Sequence, residues 1–247
     1  MSIAPKKEIQ KLFRKLGLEV TRARARGRDP FEDMQNIFGA ESSLTIFDVG
    51  AHVGQTSRLF RRIFPNSRIF AFEPFPESFQ LCKEQLKDDI LSNVINIAIS
   101  NINGSQILHV NSRSATNSIL ETDARASETW GSDVCSTEKT VEVRTETLDA
   151  FLARESICQI DILKLDVQGA EYLVMDGAQE SCRQKKIGAI YAEIITQPTY
   201  ERQMRFDKML AVYYELGFEL FNIYNPYHSK SGRLCQVDAL FTRTAAR

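Results

Sequence analysis

Short apolar runs alternate with segments of helical periodicity from about residue 44 onward, and glycine or proline separates most of them. The runs that predict β-strands lie at 44–49, 68–73, 94–99, 160–166 and 187–194. The segments that predict α-helices lie at about 54–63, 76–87, 168–176 and 199–216. Strands that alternate with helices in this way form a parallel sheet with helices on both faces.

Two more apolar runs, at 218–224 and 234–242, predict a closing hairpin. The intervening residues 225–233 are too few for a crossover helix, so these two strands must be antiparallel. We predict that Asn225-Pro226-Tyr227 forms a turn between them. The predicted fold class is therefore α/β, with a doubly wound, mostly parallel seven-stranded sheet that contains one reversed C-terminal strand.

An insertion and an extension are predicted outside this sheet. Residues 105–110 and 140–146 alternate like an extra β-hairpin, and the polar segment 111–138 between them is long enough to be functional or disordered. Ahead of the sheet, residues 1–40 are predicted to form a basic N-terminal extension with helices. The main domain is then expected to span residues 41–247.

The extension carries most of the positive charge. An apolar spacing predicts a helix at 6–16, and Asp29-Pro30 predicts the start of a second helix that ends near Phe38. Residues 1–30 contain nine Lys or Arg residues and three acids, so this segment carries +6 and the remainder −7. An anionic membrane surface or a lipid-linked acceptor, contacted by residues 1–28, fits this asymmetry. A solvated helix face, docking on the body and formation of a homo-oligomer explain the same pattern.

The strand at 44–49 ends in a glycine-rich turn that carries the first candidate site. Asp48, Gly50 and Gly54 form the pattern D-x-G-x-x-x-G, and Glu73 ends the next strand, 23 positions after Gly50. This is the layout of a nucleotide-binding βαβ unit, in which the acid holds ribose hydroxyls. Asp48 would repel a pyrophosphate but suits the ammonium group of S-adenosylmethionine (SAM). The alternative is an ordinary strand–turn–helix junction.

Three carboxylates are predicted at the ligand-binding edge of the sheet. Asp166 and Glu193 end neighbouring parallel strands, and Asp238 lies in the reversed strand, which begins at the same edge. If that strand inserts beside 187–194, the three acids converge, because neighbouring strands lie about 4.8 Å apart. They could then share one substrate hydroxyl or one Mg²⁺ ion, whereas separate caps and salt bridges are the alternative. We predict Asp166 as the base, with His228 as the second candidate.

Several segments resemble, in order and spacing, the FkbM family of SAM-dependent methyltransferases. The matching segments are 47–51, 72–74, 96–100, 147–149, 164–171 and 237–241. The K-x-D-x-x-G-x-E pattern at 164–171 is specific to that family, whereas the glycine turn alone is not. Gln168 stands where the family usually has Glu, which leaves no role for a carboxylate at this position.

The resemblance implies a class I methyltransferase fold and a SAM-dependent O-methyltransferase. It implies transfer to a hydroxyl oxygen on a sugar of a glycan or glycosylated metabolite, or on a polyketide or other small molecule. The implied SAM-binding residues are Asp48, Gly50, His52, Gly54, Glu73, Asn96, Ala98 and Ser118. Within this set, Asn96 and Ala98 are placed beside the adenine and Ser118 beside the carboxylate of SAM. The candidate catalytic residues are Asp166, Glu193, Asp238 and His228.

Composition narrows the function classes further. The hydrophobic fraction of 43% and the charged fraction of 26% are those of a globular protein. The acidic body argues against nucleic acid as a partner. The five cysteines form no C-x-x-C pair, and no signal-peptide pattern is visible, so we expect a cytoplasmic protein, peripheral to the membrane if the basic arm binds lipid. A SAM-fold binding or scaffold protein without catalysis is the alternative from another class.

Overall fold

The computed structural model of the protein describes Phe13, Lys15 and residues 27–131 and 134–243. The predicted helix at 6–16 and most of the basic arm lie outside the described residues. The predictions made for that arm therefore stay predictions.

Ten strands and eight helices make up the described part of the chain. The strands are β1 Thr45–Val49, β2 Arg68–Phe72, β3 Ser92–Ile95, β4 Ala98–Ile99, β5 Gly104–Asn111, β6 Thr137–Glu146, β7 Ile160–Leu165, β8 Ile187–Ile195, β9 Phe218–His228 and β10 Leu234–Arg243. The helices are α1 Pro30–Phe38, α2 Gln55–Ile63, α3 Pro76–Gln85, α4 Ala126–Trp130, α5 Leu148–Arg154, α6 Glu171–Asp176, α7 Gln179–Arg183 and α8 Phe206–Glu215. The short helices α5 and α7 were not among the predicted elements.

Seven strands form the main sheet in the order β3-β2-β1-β7-β8-β10-β9. β1 pairs in parallel with β2 and β7, and β7 pairs in parallel with β8. β10 inserts between β8 and β9 and is antiparallel to both. The predicted sheet with one reversed strand is therefore confirmed. The separate hairpin is also confirmed, because β5 and β6 pair antiparallel in a second sheet of order β4-β6-β5.

Apolar side chains cover both faces of the main sheet, as expected for parallel strands that are buried on two sides. On one face Phe47 and Phe72 pack against Phe151 from α5, with ring centroids 4.8–5.7 Å apart. On the other face Met34 from α1 and Phe60 from α2 are completely buried. Helix α1 therefore packs on the sheet, although the predicted boundary of the extension falls after it at residue 40.

The start of α1 follows the sequence prediction. The Asp29 carboxylate accepts hydrogen bonds from the backbone N–H groups of Phe31 and Glu32, and Pro30 occupies the first helical position. The next turn contains a buried acid, Asp33, whose carboxylate accepts hydrogen bonds from the Tyr224 hydroxyl and the Gly27 N–H. This acid thus joins α1 to strand β9.

The strand predicted at 94–99 is two strands in two different sheets. β3 ends at Ile95 in the main sheet, and β4 begins at Ala98 in the small sheet. Between them the Asn96 amide donates to the carbonyl oxygens of Glu73 and Pro74. The chain therefore leaves the sheet at Asn96, where a side-chain amide satisfies backbone acceptors beyond the end of β2.

The long helix predicted at 199–216 begins only at Phe206. Residues 199–205 instead form a loop around the side chain of Gln203. Its Oε1 accepts hydrogen bonds from the N–H groups of Thr199 and Tyr200, and its Nε2 donates to the carbonyl oxygens of Ile195 and Gln197. The amide thereby satisfies backbone groups without a helical turn, so the helical pattern at 199–205 was misleading.

The predicted turn at Asn225-Pro226-Tyr227 is wrong, because β9 continues through these residues to His228. Two features permit a proline here. β9 is an edge strand, so the missing N–H of Pro226 need not pair with a neighbour. The pairing with β10 is also irregular between Gln236 and Asp238, and Asn225 there has a φ of 49°.

The polar insertion between β5 and β6 lies over the carboxyl edge of the main sheet. Its described residues are 112–131 and 134–136. The Tyr200 hydroxyl donates to the Thr116 carbonyl, and the Asp123 N–H donates to the Thr199 carbonyl. The insertion is therefore attached to the loop at 196–205 and forms one wall of the site described next.

Candidate active site

A cleft opens at the carboxyl ends of β1, β2 and β7, which is where ligands bind in doubly wound sheets. It holds about 910 Å³ of empty space, part of which is open to solvent. Its walls are the turn after β1, the end of β2, the segment 97–99, the insertion at 114–119 and the turn 166–168.

The turn after β1 needs glycine at its first position. Gly50 has a φ of +83°, and a Cβ on it would lie 1.8 Å from the carbonyl oxygen of Asp166. The two loops therefore approach each other backbone to backbone. Gly54 also has a positive φ and begins α2, but it faces Cys82 and does not line the cleft.

Glu73 stands at the end of β2 and lines the cleft, as predicted. Its Oε2 accepts a hydrogen bond of 2.8 Å from the His52 N–H, and its Oε1 accepts one of 2.9 Å from the Phe75 N–H. Burial raises the pKa of Glu73 to about 7, although these two N–H groups oppose the shift. Each oxygen keeps a second lone pair, so the carboxylate can accept two vicinal hydroxyl groups.

Asp48 does not have the predicted role beside a ligand. It is fully buried below the cleft, its Oδ2 accepts from the Ser57 hydroxyl at 2.6 Å, and its Oδ1 lies 3.2 Å from the ammonium of Lys164. Asp48 was predicted beside the ammonium group of SAM, but in the structure its cationic partner is Lys164 of the protein itself. Lys164 was not among the predicted site residues.

Lys164 is the central cation of the site. Its Nζ lies 3.2 Å from both Asp48 Oδ1 and Asp166 Oδ2, and 3.4 Å from the carbonyl oxygen of Gly50. Burial alone would lower the pKa of Lys164, but the charges of Asp166 and Asp48 outweigh burial and raise it. The sequence does contain a sign of this role, because Lys164 lies within the apolar run Ile160–Leu165. A lysine in a buried strand is rare unless an acid pairs with it.

Asp166 faces the cleft immediately after β7. Its Oδ1 accepts a hydrogen bond of 2.9 Å from the Gln168 amide, and its Oδ2 lies against Lys164. Burial would raise the pKa of Asp166, but Lys164 and the hydrogen bond from Gln168 hold it below its usual value. Asp166 is therefore an ionised carboxylate that is aimed at the cleft.

Glu193 is the neighbour of Asp166, but within the described part of the chain no Lys or Arg forms a salt bridge with it. The Gln168 Nε2 that binds Asp166 also donates to Glu193 Oε2 at 2.8 Å, and the Gln236 amide donates to Glu193 Oε1 at 2.5 Å. Burial and repulsion from Asp166 raise the pKa of Glu193 well above its usual value. The environment thus shifts the two acids in opposite directions: it lowers the pKa of Asp166 and raises the pKa of Glu193.

The contacts of Gln168 show why an amide side chain fits at position 168. Its Nε2 donates to both acids, and its Oε1 lies 2.9 Å from the Tyr200 hydroxyl, whose one proton is shared between this oxygen and the Thr116 carbonyl oxygen. A glutamate at residue 168 would bring a third carboxylate between the two. The turn that carries Gln168 is held by buried Glu171, which accepts hydrogen bonds from the N–H groups of Val167 and Gly169.

Asp238 lies beside Glu193 in the sheet but has its own partners. The two residues are opposite each other in the pairing of β8 and β10. The Asp238 carboxylate accepts hydrogen bonds from the Tyr191 hydroxyl at 2.8 Å and from the Asn225 amide at 2.7 Å. The three predicted acids therefore share one edge, but among the described residues no group of three or more His, Cys, Asp or Glu side chains is placed to hold a metal ion. The predicted Mg²⁺ site is not supported.

The remaining predicted residues fall into two groups. His52, Ala98 and Ser118 line the cleft. The ring of His52 bonds to the Ser114 hydroxyl at 2.9 Å, and the Ser118 hydroxyl donates to the carbonyl oxygen of Gln168. His228 is the last residue of strand β9, lies on the surface and does not line the cleft. Asn96 does not line the cleft either, because its amide donates a hydrogen bond to the carbonyl oxygen of Glu73 beyond β2.

The strand order and the placement of an acid at the end of β2 define the fold of a class I SAM-dependent methyltransferase. The chain belongs to the FkbM methyltransferase family, because the family model described as "Methyltransferase FkbM domain" matches residues 48–220. No helix in the part of the chain that the structure describes has the length and apolar character to cross a membrane.

Two relatives and one solved structure illustrate the similarity. The chain is 28% identical over 167 residues to 2-O-methyltransferase NoeI of Sinorhizobium fredii, covering 64% of this chain and 66% of that protein. It is 28% identical over 171 residues to methyltransferase sdnD of Sordaria araneosa, covering 59% of this chain and 64% of that protein. The chain thus spans just under two thirds of each relative's length. Precorrin-6y C5,15-methyltransferase of Geobacter metallireducens is 12% identical with a TM-score of 0.47, over 90% of this chain and 94% of that one. The fold assignment rests on the strand order and the family match, not on this likeness.

Proposed function

We propose that the protein transfers the methyl group of SAM to a hydroxyl oxygen, on a sugar of a glycan or of a glycosylated metabolite. The observation that carries the proposal is the arrangement of Glu73 and Asp166 around one cleft. One acid is placed for a ribose, and the other is an ionised base at the reacting end. Membership in the FkbM family supports methyl transfer, and the 2-O-methyltransferase relative supports oxygen as the acceptor atom.

The cleft residues fit the parts of SAM. Phe72, Ile97, Ala98 and Ile99 supply an apolar wall for the adenine. Glu73 has a free lone pair on each oxygen for the two ribose hydroxyls. Asp166 and Gln168 line the cleft at the end of β7, where the reacting part would lie. SAM itself supplies a methyl group on a positively charged sulfur.

Asp166 then acts as the base for the acceptor hydroxyl. As the carbon–oxygen bond forms and the carbon–sulfur bond breaks, the hydroxyl proton passes to the Asp166 carboxylate. Lys164 and Gln168 hold this carboxylate in place through one contact to each of its oxygens. Orientation of the acceptor supplies roughly 7–11 kcal/mol of the barrier reduction, and the base adds its own part.

SAM affinity should fall as the pH decreases from 8 to 6. The pKa of Glu73 is raised to about 7, so the carboxylate is ionised above this pH and becomes protonated below it. A protonated carboxyl offers one acceptor less to the ribose, and we expect affinity to fall by about tenfold over this range. Calorimetric titration of SAM at the two pH values measures the effect.

The Glu73→Gln variant should bind SAM weakly and without this pH dependence, because its amide does not titrate. Glu77→Gln, an exposed change on α3, is the matched control and should behave like the wild type. An unchanged affinity in Glu73→Gln, or tight binding of NAD in place of SAM by the wild-type protein, would refute the assignment of this cleft.

A further inference from the structure

A stacked pair of aromatic rings lies next to the row of polar side chains at the carboxyl edge of β8. Trp130 ends helix α4 of the insertion, and Tyr227 lies near the end of β9. Their rings are stacked with centroids 5.4 Å apart and an interplanar angle of 8°. We call this pair the Trp130–Tyr227 platform.

The platform is anchored by a hydrogen bond and is partly exposed to solvent. The Trp130 indole N–H donates a hydrogen bond of 2.7 Å to the Thr199 hydroxyl, which fixes the ring orientation. Tyr227 remains 51% exposed. A large aromatic face that is ordered yet exposed offers binding area at low cost in conformational entropy.

An amide and a carboxylate side chain lie beside the platform. Gln236 is the cross-strand neighbour of Tyr227, and side chains on facing residues lie about 5 Å apart. The next residue on the same face of β10 is Asp238, which binds the amide of Asn225. Gln236 and Asp238 are both only partly buried, so they retain access to solvent.

A chain of hydrogen bonds joins Gln236, which lies beside the platform, to the predicted base Asp166. The Gln236 amide donates to Glu193, and the Gln168 amide joins Glu193 to Asp166. The polar side chains beside the platform are thus hydrogen-bonded, through Glu193 and Gln168, to the acid that lines the cleft.

We propose that the exposed face of the Trp130–Tyr227 platform binds a pyranose ring of the acceptor. A pyranose has a face of C–H bonds that packs on an aromatic ring, and a rim of hydroxyls that amides and carboxylates bind. Gln236 and Asp238 take these rim hydroxyls. The inference rests on the proposed function, because it specifies where the acceptor of that reaction sits.

Trp130 makes the test direct, since it is the single tryptophan of the sequence. The protein is saturated with S-adenosylhomocysteine, the demethylated product of SAM, and titrated with methyl glycosides of glucose, galactose, mannose and fucose. At least one glycoside should change the tryptophan fluorescence in a saturable manner. Tyr227→Ala should weaken this binding at least tenfold, and Tyr227→Phe should restore most of it because the ring is kept.

Phe221→Ala is the matched control, since Phe221 is a 46% exposed aromatic residue on the same strand. It should bind the glycoside like the wild type. Affinity for S-adenosylhomocysteine should be unchanged in all three variants.

Two results would overturn the inference. One is a wild-type protein that binds S-adenosylhomocysteine but shows no fluorescence change with any glycoside. The other is a Tyr227→Ala variant that loses thermal stability and product affinity together, since the platform would then merely fasten the insertion to β9. Failure of the wild-type protein to bind S-adenosylhomocysteine at all would instead refute the proposed function.

Discussion

Replacing Asp166 with asparagine should lower kcat by roughly 10²–10⁴-fold and leave SAM affinity nearly unchanged. The asparagine keeps the shape of the side chain but cannot accept the hydroxyl proton. Glu193 is not placed to replace it, because burial raises the pKa of Glu193 well above its usual value and Glu193 does not line the cleft. Steady-state rates with SAM, together with calorimetric SAM affinity, separate the chemical step from binding.

Asp161→Asn is the matched control for this change. Asp161 lies at the start of the same strand β7, where its carboxylate accepts a hydrogen bond from the Thr45 N–H. This variant should keep its turnover. The wild-type rate should also be insensitive to a chelator, because Lys164 already occupies the position of a cation beside Asp166. Full activity in Asp166→Asn, or chelator-sensitive activity that Mg²⁺ restores, would contradict the role of Asp166 as a metal-free base.

Replacing Lys164 with methionine should destabilise the protein by about 3–5 kcal/mol. The change keeps most of the side-chain volume but leaves Asp48 and Asp166 facing each other without their shared cation. Asp48 is fully buried, so water cannot replace the lost ammonium. For a chain of this size the midpoint of thermal unfolding should fall by about 10 °C. Calorimetry or circular dichroism at neutral pH measures the shift.

A second change in the same variant identifies the cause. Asp48→Asn combined with Lys164→Met should be more stable than Lys164→Met alone, because it removes one of the two unpaired charges. Lys83→Met, an exposed change on α3, should leave the unfolding midpoint within about 1 °C of the wild-type value. A Lys164→Met protein that unfolds like the wild type would show that the ion pairs do not stabilise the fold.

The main sheet could be predicted because its evidence is local. Each parallel strand is a continuous apolar run, and the short span between the last two strands requires them to be antiparallel. The wrong predictions were made where a local sequence pattern favoured one structure and tertiary contacts stabilised another. Pro226 looks like a turn residue until the strand that contains it is known to be an edge strand. Likewise, the helical pattern near residue 203 gives no sign that the Gln203 amide will bind four backbone groups.

The two acids of the cleft were predictable from the residues themselves, because the chain places each of them at a strand end. Glu73 and Asp166 follow β2 and β7, and parallel strands present their carboxyl ends to the same cleft. The choice of ion-pair partner was not predictable, because Asp48 and Lys164 are 116 positions apart in the sequence and meet only through the pairing of β1 with β7. For the same reason the amide of Gln168, which donates hydrogen bonds to both Asp166 and Glu193, could not be assigned a role in advance.

Methyl transfer itself is the most direct test of the central claim. The protein is incubated with SAM carrying a ¹³C-labelled methyl group and a panel of pyranosides, oligosaccharides and non-sugar alcohols, and products are analysed by mass spectrometry and NMR. We predict one labelled methyl group on a hydroxyl oxygen of a pyranose ring, formed by the wild-type protein and lost in Asp166→Asn. A label on nitrogen or carbon, or SAM binding with no transfer to any member of the panel, would contradict the proposed function.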